Sequence, residues 1–161
     1  MSDTVTRASA RTGGKHLVFR LNGEDYGLPV LSVREIHQMM AVTPVPRTPS
    51  FIKGVANLRG KVLPVTDLRE RFGMPHSEDA GLQAIIVVSV AGIEMGLIVD
   101  KVSEVADIAS EDIEETPSFG PKIDTNFIAG IGKRGGNILL LLNLEKLFTN
   151  DELNNLKNER S

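Results

Sequence analysis

Two stretches of this chain repeat themselves, and that repetition limits the available folds more than any other feature. Residues 51–72 align without a gap on 127–148, with identities at Phe51/Phe127, Ile52/Ile128, Gly54/Gly130, Gly60/Gly136, Leu63/Leu139, Leu68/Leu144 and Phe72/Phe148. Upstream, residues 17–37 align on 86–106, with identities at Val18/Val87, Gly23/Gly92, Gly27/Gly96, Leu28/Leu97, Val30/Val99, Val33/Val102 and Glu35/Glu104. The upstream pair of blocks is offset by 69 residues and the downstream pair by 76, so seven extra residues fall between Ala106 and Phe127. Two blocks repeated in the same order indicate an internal duplication of about 70 residues. A unit that short is marginal alone, so the two copies are expected to share an apolar seam.

Each copy reads as short strands. Asn22-Gly23 separates two β-prone runs, a strong hairpin signal, and Ala91-Gly92 separates a second such pair. In the later block, 57–61 supplies turn residues, and Pro64 confines the β-prone run 62–65 to a sheet edge, a strand end or a bulge. Asp67 followed by Glu70 predicts an N-capped helical stub stopped by Gly73, with Asn143 in the same cap position of the second copy. The segment 31–40 carries Val33, Ile36 and Met40 at three- and four-residue spacing, which fits a short helix and a bent strand end equally. Pro44, Pro46 and Pro49 make 42–49 an extended loop, and 74–83 reads as the junction between copies. The acidic run 111–115 and the Pro/Gly loop 117–121 hold the seven extra residues. Thr149 and Glu152 form a capping-box signature for a C-terminal helix bearing Leu153 and Leu156. Many short strands at even spacing, twice over, predict two small barrels rather than an open sheet.

Composition narrows the function classes. At 41% hydrophobic and 24% charged the chain has enough apolar side chains for a core, but with 4% aromatics and no Trp that core is aliphatic. So few rings, with a net charge of −3, argue against a surface for stacking single-stranded nucleic acid. There is no cysteine, which removes disulfides and thiolate chemistry. Residues 1–14 lack an apolar core and read as a disordered tail rather than a secretory signal, and the longest apolar runs, 84–88 and 138–142, are too short to span a bilayer. The expectation is a soluble, cytoplasmic protein.

Catalysis has no visible carrier. His16, His37 and His76 lack metal-ligand spacing and read as solvent-exposed imidazoles, so no metal or cofactor is expected. The run 132–136 lacks the Ser/Thr of a phosphate loop and reads as a hairpin turn, and no nucleophile elbow is present. Asp67 and Asp100 stand alone, so a hydrolase reading rests on isolated acids. A nucleic-acid reading rests on Lys53, Arg59, Lys61, Arg69, Lys133 and Arg134. Glu35 and Arg59 stand at the ends of two blocks of one copy, where they can form an ion pair that contributes orientation and partner choice rather than stability.

The strings LVFRLNGEDYGLPVLSVREI, FIKGVANLRGKVLPVTDLRERFG, IVDKVSEV and LLLLNLEKLF resemble the CheW family of bacterial chemotaxis coupling proteins, over about 15–150. The resemblance implies a mainly all-β fold of two pseudo-symmetric five-stranded SH3-like barrels with short helices and a C-terminal helix. The domain is expected at 15–150, as two intertwined barrels with approximate repeats 15–75 and 84–148, followed by a helix and tail at 150–161. The implied function is a non-enzymatic scaffold joining the cytoplasmic tip of chemoreceptors, the methyl-accepting chemotaxis proteins, to the regulatory domain of the histidine kinase CheA. Other CheW-like domains in membrane-associated arrays are further implied partners, without nucleic acid or membrane insertion. The family's receptor-binding groove maps onto Val33, Glu35, Ile36, Arg59, Val88, Val102 and Val105, and its kinase-facing surface onto Val45, Lys53, Val62 and Phe119.

Overall fold

The computed structural model describes residues 13–75, 83–117, 126–149, 151–154 and 156. Most of the N-terminal tail, His76, most of the junction between the copies and Phe119 lie outside them. Eleven strands form in chain order: β1 (Gly13–Leu21), β2 (Glu24–Pro29), β3 (Val33–Gln38), β4 (Gly54–Leu58), β5 (Lys61–Asp67), β6 (Ala84–Val90), β7 (Ile93–Val99), β8 (Lys101–Ala109), β9 (Ile113–Glu114), β10 (Ile128–Arg134) and β11 (Asn137–Leu142). Helical stubs α1 (Leu68–Arg71) and α2 (Leu144–Leu147) follow β5 and β11. The segment 31–40, which the spacing left open, is a 3-10 turn at Val30–Ser32 leading into strand β3.

The strands sort into two sheets, ordered β3-β6-β7-β5-β4 and β8-β1-β2-β11-β10-β9. The first closes where the chain leaving β3 bridges Thr43 to Val55 of β4, and the second where β8 turns through Ser110–Asp112 into β9, the short strand beside β10. Each barrel therefore takes its central hairpin from the other copy: β6–β7 joins β3, β4 and β5, while β1–β2 joins β8, β10 and β11. The registers match residue for residue. Leu141 pairs with Gly27 in parallel as Val65 pairs with Gly96, and Glu104 stands opposite Val18 as Glu35 stands opposite Val87.

This exchange explains the unbroken apolar runs in β6 and β7. Ile85, Val87 and Ile98 point into the first barrel, whereas Ala84, Ile86, Val88, Met95, Leu97 and Val99 point into a cluster shared with Leu17, Phe19, Leu21 and Leu28 from the other sheet. Among the described residues this seam holds twenty-two buried side chains, against seven and five inside the barrels, so most apolar burial lies between the copies. The repeated phenylalanines meet across it, Phe72 on Phe127 at 5.0 Å and Phe51 on Phe148 at 5.3 Å between ring centres. Leu153 and Leu156 of the C-terminal segment are buried in the same cluster. There the expected capping box forms: Glu152 N–H donates to Thr149 Oγ1 and Thr149 N–H to Glu152 Oε1.

Local signals hold in detail. Four hairpins turn through Asn22-Gly23, Arg59-Gly60, Ala91-Gly92 and Gly135-Gly136, each with positive φ at both positions, the geometry that matches strand twist. Asp67 Oδ1 accepts from Arg69 N–H (2.9 Å) and Asn143 Oδ1 from Glu145 N–H (3.1 Å), capping α1 and α2. Pro64 pairs with Val55 on one side and lies one residue before the parallel pairing with β7 begins, so its missing N–H interrupts no ladder there. His16 departs from the exposed placement expected of it. It lies on the interior side of β1, 1% exposed, opposite Ala106, with Nδ1 3.0 Å from the Gly14 carbonyl oxygen; burial pushes its pKa down.

One partly buried ion pair ties the two copies together. Arg69 of α1 grips Asp100, between β7 and β8, through Nε (2.6 Å) and Nη2 (2.5 Å), and Asp100 also accepts from the backbone N–H of Asn22 (2.8 Å). Burial pushes the Asp100 carboxyl up, but the hydrogen bonds from Arg69 and Asn22 and the guanidinium charge outweigh it and hold the pKa below its ordinary 3.8. A lowered folded-state pKa contributes stability that is complete above the unfolded value and is lost as pH falls through the folded one. Asp100→Asn is therefore expected to lower the melting temperature most at neutral pH, with the deficit narrowing below about pH 4; a deficit constant from pH 7 to 3 would remove the charge from the account. At Gly54 an added Cβ would lie 2.3 Å from the Thr43 carbonyl oxygen, at the bridge that closes the first barrel. Gly54→Ala should cost about 3 kcal/mol or more in chemical denaturation, and a loss under about 1 kcal/mol would show that the closure yields.

Candidate functional site

The edge strands β3 and β8 carry the residues that line the seam on its open side. A bulge between Val33 and Glu35 puts Val33 opposite Val88 and Ile36 opposite Ile86, so these two side chains share the seam-facing side although they are three residues apart. β8 repeats this with a bulge at the matching place: Val102 stands opposite Phe19 and Val105 opposite Leu17. Val33 and Val102 are partly buried against the seam cluster, while Ile36 and Val105 are 47% and 54% exposed. Four of the expected receptor-facing residues thus form two equivalent apolar faces flanking one seam. Val88 does not belong with them on the surface. Its relative exposure is 0%, because β6 is an inner strand whose seam face is covered.

The bulge turns Glu35 to the other side of β3, facing the β4–β5 hairpin. There its Oε1 forms an ion pair with Arg59 Nη2, and its Oε2 lies 3.4 Å from His37 Nε2. The pair sits in a shallow cleft of about 350 Å³ floored by Leu58 and Leu63, with Arg34 and Lys61 beside it. Arg59 holds a left-handed backbone, φ 54°, where a branched or long side chain costs about 1 kcal/mol or more and the matching residue of the second copy is Gly135. Asn57 Oδ1 accepts from Gly60 N–H (2.8 Å) and helps hold that turn. The second barrel has its own version of the pair: Glu104, at the position of Glu35, accepts from Arg134 Nη1 at 2.6 Å, which holds its carboxyl below the usual range.

Of the expected kinase-facing residues, Val45, Lys53 and Val62 are described and stand on the first barrel, while Phe119 lies outside the described residues. Val62 on β5 and Val45 on the closing loop are 57% and 38% exposed, and Lys53 pairs with Asp67 (3.5 Å) and Glu70 (3.8 Å). Two exposed apolar residues escaped the sequence reading. Ile138, 60% exposed, occupies in β11 the place Val62 holds in β5, so the repeat alignment carried its signal. Leu31, 87% exposed on the 3-10 turn before β3, had none, since nothing in the sequence distinguishes it from a core leucine.

Chemistry other than binding finds little support. Each cation of the nucleic-acid reading is engaged by a carboxylate: Lys53 by Asp67 and Glu70, Arg59 by Glu35, Lys61 by Glu94, Arg69 by Asp100, Lys133 by Glu114 and Arg134 by Glu104. A phosphate backbone would have to displace those partners. Asp67 caps a helix and Asp100 is held by Arg69 and a backbone N–H, so both acids of the hydrolase reading already have structural partners. Among the described residues no group of three or more His, Asp or Glu could hold a metal ion, and no helix is long and apolar enough to cross a membrane.

Comparison with known proteins places this arrangement. The model of the CheW-like domain family matches residues 15–152. The chain is 36% identical over 154 residues to the chemotaxis protein CheW of Klebsiella aerogenes, covering 93% of this chain and 91% of that protein. It is 39% identical over 119 residues to the CheW of Bacillus subtilis, covering 74% and 76%. Among solved structures it resembles the scaffolding protein TtCheW from Thermoanaerobacter tengcongensis, with a TM-score of 0.77 and 39% identity over 87% of this chain and 95% of that one. With the repeated barrels, the flanked seam and these likenesses in hand, the chain belongs to the CheW-like family.

Proposed function

We propose that this chain is a non-enzymatic chemotaxis adaptor that couples chemoreceptors to the histidine kinase CheA in receptor arrays at the cytoplasmic face of the membrane. The observation that carries this reading is the pair of equivalent apolar faces, Val33 with Ile36 and Val102 with Val105, flanking one seam. Apolar side chains spaced along such a groove suit the i, i+3, i+4 stripe of a helix, so the occupant is the helical hairpin at a chemoreceptor tip. Half-buried Glu35 and exposed Arg59, at the β3 edge beside that groove, set register and orientation more than affinity, since an ion pair open to solvent contributes about 0 to 1 kcal/mol.

The kinase contact falls on the first barrel at Val45, Lys53 and Val62, with Phe119 of the second copy as a further expected anchor and the regulatory domain of CheA as the partner. Other CheW-like domains in the arrays are partners for the same kind of barrel surface. Catalysis is no part of this reading, which follows the scaffolding role that the similar structure TtCheW carries in its name.

Titration calorimetry of the purified chain with the CheA regulatory domain, and separately with a receptor cytoplasmic fragment, should give saturable one-to-one association in both cases; no heat and no complex by sizing with either would end the proposal. Arg59 supplies a sharper test. Arg59→Gly relieves the left-handed strain while losing the exposed pair, so its melting temperature should stay within about 3 °C of the parent, the shift that about 1 kcal/mol produces. Its affinity for the receptor fragment should fall at least about threefold, with Arg59→Glu lower still. A large drop in melting temperature with affinity intact would make Arg59 a structural brace instead.

A further inference from the structure

We propose, resting on the receptor-groove reading above, that Glu104 and Arg134 form a second charged rim of the groove, so that a helical hairpin meets an orienting ion pair on both barrels. The strand orders and registers of the barrels are equivalent, which relates the two halves of the seam by an approximate two-fold axis. Under it Val33 maps onto Val102, Ile36 onto Val105 and Glu35 onto Glu104, and both glutamates are turned away from the seam by the same bulge. Each glutamate then takes a guanidinium from the hairpin of its own barrel, Arg59 at the β4–β5 turn and Arg134 at the end of β10. The position equivalent to Arg59 is Gly135, so the second arginine comes from one residue earlier in the turn and no alignment of the copies reveals it.

The Glu104 and Arg134 side chains are 51% and 46% exposed, open to a partner rather than sealed in a core. Two antiparallel helices of a hairpin are themselves related by an approximate two-fold. One helix can set its apolar stripe on Val33 and Ile36 and the other on Val102 and Val105, each with a charged or polar side chain level with a rim pair. A one-sided rim fixes one helix; a rim on each barrel fixes the tilt of the hairpin across the seam.

The test is the affinity of the full chain for a receptor cytoplasmic fragment containing the hairpin tip, measured by calorimetry at two salt concentrations. Arg134→Glu should raise Kd at least about threefold while melting with the parent, because an exposed pair contributes little to folding. The double variant Glu104→Arg with Arg134→Glu restores the internal pair with its charges exchanged, and it should remain weak. Arg134→Ala gives a second reading of the same loss without a new charge. If Arg134→Glu and Arg134→Ala bind as the parent does while Arg59→Glu is weakened, the second rim is wrong and the groove stands. If the exchanged pair regains parental affinity, Glu104 and Arg134 brace the barrel and recognise nothing. If Arg59→Glu also binds unchanged, the groove reading falls and this inference with it.

Discussion

The hairpins β1–β2 and β6–β7 are buried on both faces, one face inside a barrel and the other in the seam, and the rest of the molecule is arranged around that double burial. Fully burying one Val, Leu or Ile contributes about 1.5–3 kcal/mol, and most such side chains here lie between the copies rather than within either. Because each hairpin completes the other copy's barrel, neither copy closes a barrel of its own. The duplicated sequence thus becomes one cooperative unit, and Arg69, Asp100 and Asn22 clamp three segments of it at one corner.

The exchange also creates the site. With inner strands from opposite copies meeting in the seam, the strands beside them, β3 and β8, reach its open side as equivalents. Their matching bulges turn valine and isoleucine toward the seam and glutamate toward the hairpin. The symmetry is broken in small ways that give a partner direction. Arg59 is strained where its counterpart is glycine, and Leu31 is exposed where its counterpart Asp100 is held by Arg69.

Much of this was legible in the residues. The repeat identities gave the duplication, and structure assigns physical causes to several: the four phenylalanines pair crosswise, and Gly54 and Gly130 both lie against the segment that closes their barrel, the Thr43 bridge and β9. The Asn22-Gly23 and Ala91-Gly92 steps and the acid or amide before each helical stub announced turns and caps because their cause is local. What stayed hidden depends on pairing. The helix-like spacing of Val33 and Ile36 comes from a bulge, which only the partner strand defines. The hairpin exchange leaves no mark on an ungapped alignment, since both pairings join the same kinds of strand. Val88 looked like its exposed neighbours because a strand buried on both faces carries no alternation to tell groove from core.

Hydrogen–deuterium exchange of the chain, alone and with a receptor cytoplasmic fragment, tests the central claim most directly, since protection reports which backbone a partner covers. The account predicts that peptides covering β3 and β8 slow together on addition of the fragment, while those covering the outer face of β11 do not change. Protection of one edge strand without the other, or protection confined to surfaces away from the seam, would contradict it.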